Sequence, residues 1–338
     1  MNNRYAFLLA SLLFLSACSA PVHKDFLQNL IQSQKTDGTR SRVVTSLAYS
    51  EKAKVLLIGH ESGSIEIWDA TQAKSVREIK AHDYRANLLS FSADGKTFFS
   101  NSMVEYNTKL WNVRTGELIY SIPLSSGPVS VSPDPRFYLI ANSAELRFFD
   151  YKNKVVLPEK YQLSFEVIEF IASDRSTNQV AVGAGGVIHL LKFSIINGSP
   201  HLEKIAQSPP PPERSNIRGL LFSNNGSTLY SVTNWGAVDE WTTQPLKIKR
   251  SFPIVLNAIY AATFLPSEGL VALSGTEERV RPGVDFGFVE VLPLDGRKPS
   301  TFKMTMKYPK VIEFLPPFSS VISAEGYSME VYGLPQEK

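Results

Sequence analysis

Gly63-Ser64-Ile65-Glu66-Ile67-Trp68-Asp69 decides how the chain is read. Ile65 and Ile67 alternate with Glu66, the period of a strand with one apolar face. Trp68 closes the strand and Asp69 opens a turn. Looser copies follow: Thr108-Lys109-Leu110-Trp111-Asn112, Leu146-Arg147-Phe148-Phe149-Asp150, Val238-Asp239-Glu240-Trp241-Thr242, Val289-Glu290-Val291-Leu292 and Met329-Glu330-Val331-Tyr332. With Phe193 in a further copy, the terminal large residues fall at 68, 111, 149, 193, 241, 292 and 332. Successive intervals run from 38 to 51 residues.

A second feature is interleaved with the first. Ahead of each such strand lies another apolar strand that ends in turn residues. Examples are Leu89-Ser90-Phe91-Ser92-Ala93-Asp94-Gly95, Val129-Ser130-Val131-Ser132-Pro133-Asp134 and Leu221-Phe222-Ser223-Asn224-Asn225-Gly226. Asp-Gly, Asn-Gly and Pro suit tight hairpins. Seven copies of both features in fixed order predict an all-β chain: a seven-bladed β-propeller of four-stranded antiparallel blades. Over residues 43–334 the chain resembles the WD-repeat family. Trp68-Asp69 keeps that family's dipeptide, and its Gly-His is present only as Ala81-His82. The resemblance therefore implies that the family's side-chain tetrad (His, Asp, Ser or Thr, Trp) is incomplete in every blade. His82 remains a candidate to hold a neighbouring turn in that manner.

The chain has 338 residues, is 43% hydrophobic and carries a net charge of +3. Its charges are interspersed, without the basic stripe that nucleic acid calls for, so no nucleic-acid partner is expected. Five histidines and one cysteine, scattered, do not make a zinc site. The N-terminus reads as a targeting segment: Arg4, then an apolar run from Tyr5 to Phe14, too short to span a bilayer. Leu15-Ser16-Ala17-Cys18 looks like a bacterial lipobox. That resemblance implies removal of residues 1–17, acylation of the Cys18 thiol, and then acylation of its new amino group. The plainer alternative is an ordinary secretory signal with an incidental cysteine. Cys18 is the one cysteine of the sequence, so it serves no disulfide within the chain. Two or three acyl chains anchor durably where one does not. Ser19 after the cysteine points, by the same resemblance, to the outer membrane, facing the periplasm.

Residues 18–42 then form a lipidated N-terminus and tether, and 335–338 a short tail. The seventh blade runs out of chain after its third strand. In the family an N-terminal strand commonly closes the ring, and Phe26–Gln34 is the available segment. The alternative there is an amphipathic helix with Phe26, Leu27 and Leu30 at helical spacing. Blades are expected at Val43–Lys80, Ala86–Ile122, Pro128–Tyr161, Val167–Ala206, Ile217–Phe252, Ile259–Met304 and Pro309–Leu334. Two insertions break the rhythm. Gln207–Ser215 carries four consecutive prolines, which cannot join a sheet ladder, and Gly275–Asp285 interrupts blade six.

In propellers of the resembled type, blade-to-blade loops and second-to-third-strand turns share one face. Both insertions belong there, with Arg214 in the first and Arg279 and Arg281 in the second. So do Tyr84, Arg85, Trp235, Tyr308 and Tyr327. Trp, Tyr and Arg are the usual anchors of protein interfaces, so this face is the expected partner-binding surface. For Trp235 the alternative is packing between blades. Trp68, Trp111 and Trp241 are expected in the inter-blade core, and His60, His82 and His189 in structural roles. Gly183-Ala184-Gly185-Gly186 reads as a tight turn, since no helix or basic residue follows to hold a phosphate. No triad order, carboxylate cluster or metal spacing suggests catalysis, and no cofactor is expected. The expected function is a non-catalytic protein-interaction scaffold of the bacterial envelope. It would serve as an accessory subunit of an outer-membrane assembly, secretion or appendage complex. The alternative is a propeller hydrolase or lactonase with a site in the central channel.

Overall fold

The computed structural model describes residues 28–30, 42–72, 74–164, 166–211, 213, 215–277 and 286–334. Its regular secondary structure is almost entirely strand. The first blade comprises β1 (Val44–Ser50), β2 (Val55–His60), β3 (Ser64–Asp69) and β4 (Lys74–Lys80). The second comprises β5 (Leu88–Phe91), β6 (Thr97–Ser102), β7 (Asn107–Asn112) and β8 (Leu118–Pro123). Every pairing within a blade is antiparallel and joins consecutive strands, the order expected of a meander. Four further four-stranded blades follow. The seventh is built from β25 (Val311–Leu315), β26 (Ser320–Glu325) and β27 (Ser328–Gly333), and has three strands among the described residues. β1 contacts both β5 and β25, so the last blade returns to the first and the seven sheets form a ring.

Burial explains the sequence pattern. β2, Val55-Leu56-Leu57-Ile58-Gly59-His60, is buried along its whole length. Leu56 and Ile58 pack with Trp68 against Leu315 and Ile322 of blade seven. Leu57, on the other face, packs with Ile67 against Phe98 and Trp111 of blade two. Second strands are thus apolar on both faces, whereas the outermost strand β4 is largely exposed and reads as polar. Trp68, Trp111 and Trp241 all lie buried between blades, as their position at the strand ends predicts. The glycine run also behaves as a turn: Gly185 and Gly186, at φ 57° and 76°, join β14 (Gln179–Ala184) to β15 (Val187–Ile196).

The N-terminal segment departs from expectation. Gln28–Leu30, inside the stretch expected to close the ring as a strand, are helical. The remainder of Phe26–Gln34 lies outside the described residues, as does Cys18. Leu30 is fully buried, in the cluster that joins Leu56 and Trp68 to Leu315 and Met329. The physical reason is that the segment's apolar residues recur at helical spacing. A helical turn therefore sets Leu30 into the seam between the last and first blades without needing the alternation of a strand. The backbone bond from Val44 N to Gly326 O, 2.9 Å, ties the same seam.

Leu30→Ala is therefore expected to destabilise the ring by about 2–5 kcal/mol, the usual cost of truncating a buried leucine. Urea unfolding of the variant checks it. An unchanged midpoint would mean that the seam does not depend on this side chain.

Candidate functional site

Blade two carries the best-defined polar network of the described residues. The loop from β4 to β5 delivers His82, buried beneath it. Its Nε2 lies 2.8 Å from Ser100 Oγ of β6, and the same hydroxyl accepts a bond from Trp111 Nε1 of β7 at 2.8 Å. His82 Nδ1 lies 3.0 Å from Glu105 Oε2, in the turn between β6 and β7. This is the His–acid–Ser–Trp tetrad, with glutamate where the family has aspartate. The expectation that no blade completes it is corrected here. Glu105 is the third residue of the turn Met103–Tyr106, and a search for Asp passes over it. Burial lowers the His82 pKa, so the ring is held neutral. Burial works to raise the Glu105 carboxyl, but bonds from His82 and from Asp83 N and Tyr84 N outweigh it and hold it ionised.

The family described as "Anaphase-promoting complex subunit 4 WD40 domain" matches residues 28–94. The chain is a seven-bladed β-propeller, and its first stretch is similar to WD-repeat domains. Over 110 residues it is 29% identical to human WD repeat-containing protein 36, covering 30% of this chain and 12% of that protein. Over 72 residues it is 35% identical to the guanine nucleotide-binding protein subunit beta-2 of Nicotiana tabacum, covering 20% and 19% of the two chains. Over 113 residues it is 23% identical to pre-mRNA-processing factor 19 of Schizosaccharomyces pombe, covering 33% and 23%. The matched stretches thus span less than a quarter of each of these relatives.

In the propeller, each blade-to-blade loop packs against neighbouring second-to-third-strand turns. Gly63 shows how closely: at φ 81°, a Cβ there would sit 2.2 Å from His82 O and 2.4 Å from Tyr84 O. Of the sequence-predicted residues, Tyr84, Arg85, Trp235, Tyr308 and Tyr327 all belong to these loops and turns. They are spread around the rim rather than gathered. Arg85 pairs with Glu61 at 3.5 Å, both exposed. Tyr308 meets Tyr260 edge-on, and its N–H bonds Glu325 at the end of β26, beside the turn that bears Tyr327. Trp235 is half-buried, between the two readings offered for it. Arg214, Arg279 and Arg281 lie outside the described residues. In the proline insertion, Ser208 bonds Ile188 while Pro209 and Pro210 stay exposed.

The rim also gathers apolar residues that the sequence reading missed. Tyr84, Met103, Val104, Tyr106 and Leu124 are each 51–61% exposed. They occupy three consecutive loops over blade two, knitted by Glu105 to Asp83 N and Tyr84 N, by Met103 N to Asn87 Oδ1, and by Ser125 N to Tyr106 O. Tyr106 and Leu124 adopt left-handed φ angles of 50° and 55°. Large side chains seldom take that conformation, which glycine or asparagine would adopt more readily. One signal was available: Met103-Val104-Glu105-Tyr106 is a four-residue turn holding three large apolar side chains where turn chemistry favours Gly, Asn or Asp.

Inside the channel, the carboxylates of the innermost strands act as staples. Glu169 accepts from Ile217 N at 2.6 Å, across from blade four to blade five. Glu313 accepts from Thr263 Oγ1 at 3.0 Å, across from blade seven to blade six. Burial pushes both up, Glu313 to about 7. No group of three or more metal-binding side chains occurs among the described residues.

Ser100→Ala tests the tetrad. It leaves Trp111 Nε1 and His82 Nε2 buried without their shared partner, at a cost of about 1–3 kcal/mol for each stranded group. Chemical denaturation should show a lower unfolding free energy with an unchanged slope. Stability equal to that of the parent would show that the tetrad contributes nothing net.

Proposed function

We propose that the chain is a non-catalytic protein-interaction scaffold of the bacterial envelope, held to a membrane through acyl chains on Cys18. It would present the rim over blade two to a protein partner. One observation carries the binding reading: a cluster of large apolar residues is exposed there, two of them at backbone positions where glycine would serve the fold better. Packing does not require Tyr106 or Leu124, because both project into solvent. Exposed apolar clusters of this kind mark interaction surfaces, and tyrosine is among the residues that most often dominate binding energy. The hydrogen bonds among the loops fix them before binding, which lowers the ordering cost of association. Tyr84, Arg85, Tyr308, Tyr327 and Trp235 extend the surface around the rim, with Arg214, Arg279 and Arg281 in the inserted loops as further candidates.

The similarity to WD-repeat proteins supports a scaffold role, and one relative is named as a subunit of a larger protein. The envelope reading rests on Arg4, the short apolar run and Leu15-Ser16-Ala17-Cys18. A membrane anchor raises the effective concentration of the propeller towards membrane-embedded partners. An accessory place in an outer-membrane assembly, secretion or appendage complex follows from that setting.

The binding reading is tested with Tyr106→Gly and Leu124→Gly. Glycine relieves the left-handed backbone but frees the unfolded chain, so folding stability should change by less than about 1 kcal/mol. Affinity for the protein recovered from detergent-solubilised envelopes with the parent chain should fall by about 2 kcal/mol or more for the double variant, roughly thirtyfold. Unaltered recovery would move the interface off blade two. The anchor is tested separately. Cys18→Ala should release the chain from membranes, and the intact mass of the mature parent protein should include its acyl groups. A mature mass with no acyl addition would overturn the lipoprotein reading.

A further inference from the structure

The chain has five methionines, of which Met1 lies outside the described residues. Met304 and Met306 pack between blades six and seven, 1% and 4% exposed. Met329 lies in the seam between the last and first blades, 7% exposed. Met103 differs from all three: it is 51% exposed. It opens the turn between β6 and β7 and belongs to the apolar cluster over blade two. Its N–H bonds Asn87 Oδ1 at 3.0 Å, and Glu105 of the same turn accepts from Asp83 N and Tyr84 N. The backbone of the turn is thus held in place while the Met103 side chain stands open to solvent.

Within that cluster the thioether is the group that a two-electron oxidant turns from apolar to polar. With a peroxide, the sulfur lone pair attacks one oxygen and the O–O bond breaks. Sulfur gives up two electrons and keeps that oxygen as a sulfoxide. The leaving hydroxide takes the proton from the transferred oxygen and departs as water. The oxidant must touch the sulfur, so burial shields Met304, Met306 and Met329 and leaves Met103 open to attack. Position also decides what the product does. A sulfoxide at Met304 or Met329 would be a polar group buried inside the ring, at a cost to folding. At Met103 it adds a polar group to a surface, and the cost falls due only when a partner covers that surface.

We propose that Met103 is a reversible oxidation site that switches partner binding at the rim over blade two, with a hydroperoxide or similar two-electron oxidant as its substrate. The inference rests on the reading of that rim as a protein-binding surface. In the reduced state Met103 adds its apolar side chain to Val104, Tyr106, Tyr84 and Leu124. In the oxidised state a partner seated on the same patch must strip water from a sulfoxide oxygen, and the patch releases it. Methionine sulfoxide reductases return the sulfoxide to the thioether, so the change runs in both directions. The fold takes no part in the switch, because the altered atom projects away from the ring.

The test treats the folded full chain with graded hydrogen peroxide and maps each methionine by proteolysis and mass spectrometry. Met103 sulfoxide should accumulate first, with Met304, Met306 and Met329 reduced until the chain is unfolded in urea, and the urea midpoint should stay where it was. Two readouts follow the surface: retention on phenyl-substituted agarose, and affinity for the protein recovered from detergent-solubilised envelopes. Retention should drop on oxidation, and affinity should weaken about tenfold, the cost of burying one unpaired polar group. A methionine sulfoxide reductase should restore both. Met103→Leu, compared before and after the same dose, should show no change in either readout. Oxidation of Met103 no sooner than the three buried methionines would overturn the proposal. So would an equal peroxide effect in Met103→Leu. If the reduced parent recovers no partner, the rim reading and the switch fall together. If reduced and oxidised chains recover it equally, the switch alone falls.

Discussion

No blade of this ring is stable by itself, because its sheet is apolar on both faces. A strand such as β2 sends Leu56 and Ile58 one way and Leu57 the other, and each set needs a neighbouring blade to cover it. Covering six interfaces leaves a seventh, the seam where blade seven meets blade one. An open seam would expose Trp68, Leu56 and Leu315 to water together. Closure of the ring is therefore the constraint on which the remaining structure depends. Leu30 and the bond from Val44 to Gly326 both act at that seam.

Once the ring is closed, the exposed side chains of its loops are largely relieved of any duty to hold the fold. What they carry can then answer to other demands. Over blade two the tetrad fixes the loop of His82 to the turn of Glu105, and the turn presents Met103, Val104 and Tyr106 to solvent. The polar network and the apolar cluster thus belong to one device. The first supplies a fixed base, and the second supplies a surface that water does not favour. Tyr106 and Leu124 sit in left-handed backbone, which large side chains adopt at some cost to folding.

The blades were legible because they obey periodicities. Ile65 and Ile67 alternate, Trp68 ends the strand, and the same arrangement returns down the chain. The N-terminal segment was misread because three or four apolar residues fit a strand or a helical turn about equally well. The context that chooses, the vacancy at the seam filled by Leu30, is tertiary. The tetrad escaped because Glu105 performs the task of an aspartate from a longer stem. The apolar rim escaped for a different reason. Turn residues follow no period, and exposure depends on which loops lie side by side. Tyr84, Tyr106 and Leu124 are 18 to 40 residues apart in the sequence and meet only because consecutive blades share an edge.

The seat of Leu30 also bears on force. It lies twelve positions after Cys18. Even fully extended, that stretch reaches about 40 Å. If Cys18 is held in a bilayer, tension on that short leash is delivered to the seam between the last and first blades, where the ring has its only break in chain order. A pull along the leash works to lift Leu30 from between Trp68 and Leu315, whereas a push against the opposite rim loads every blade interface alike. The mechanical weak point and the membrane attachment would then coincide, and the propeller would yield first on the side that faces its anchor.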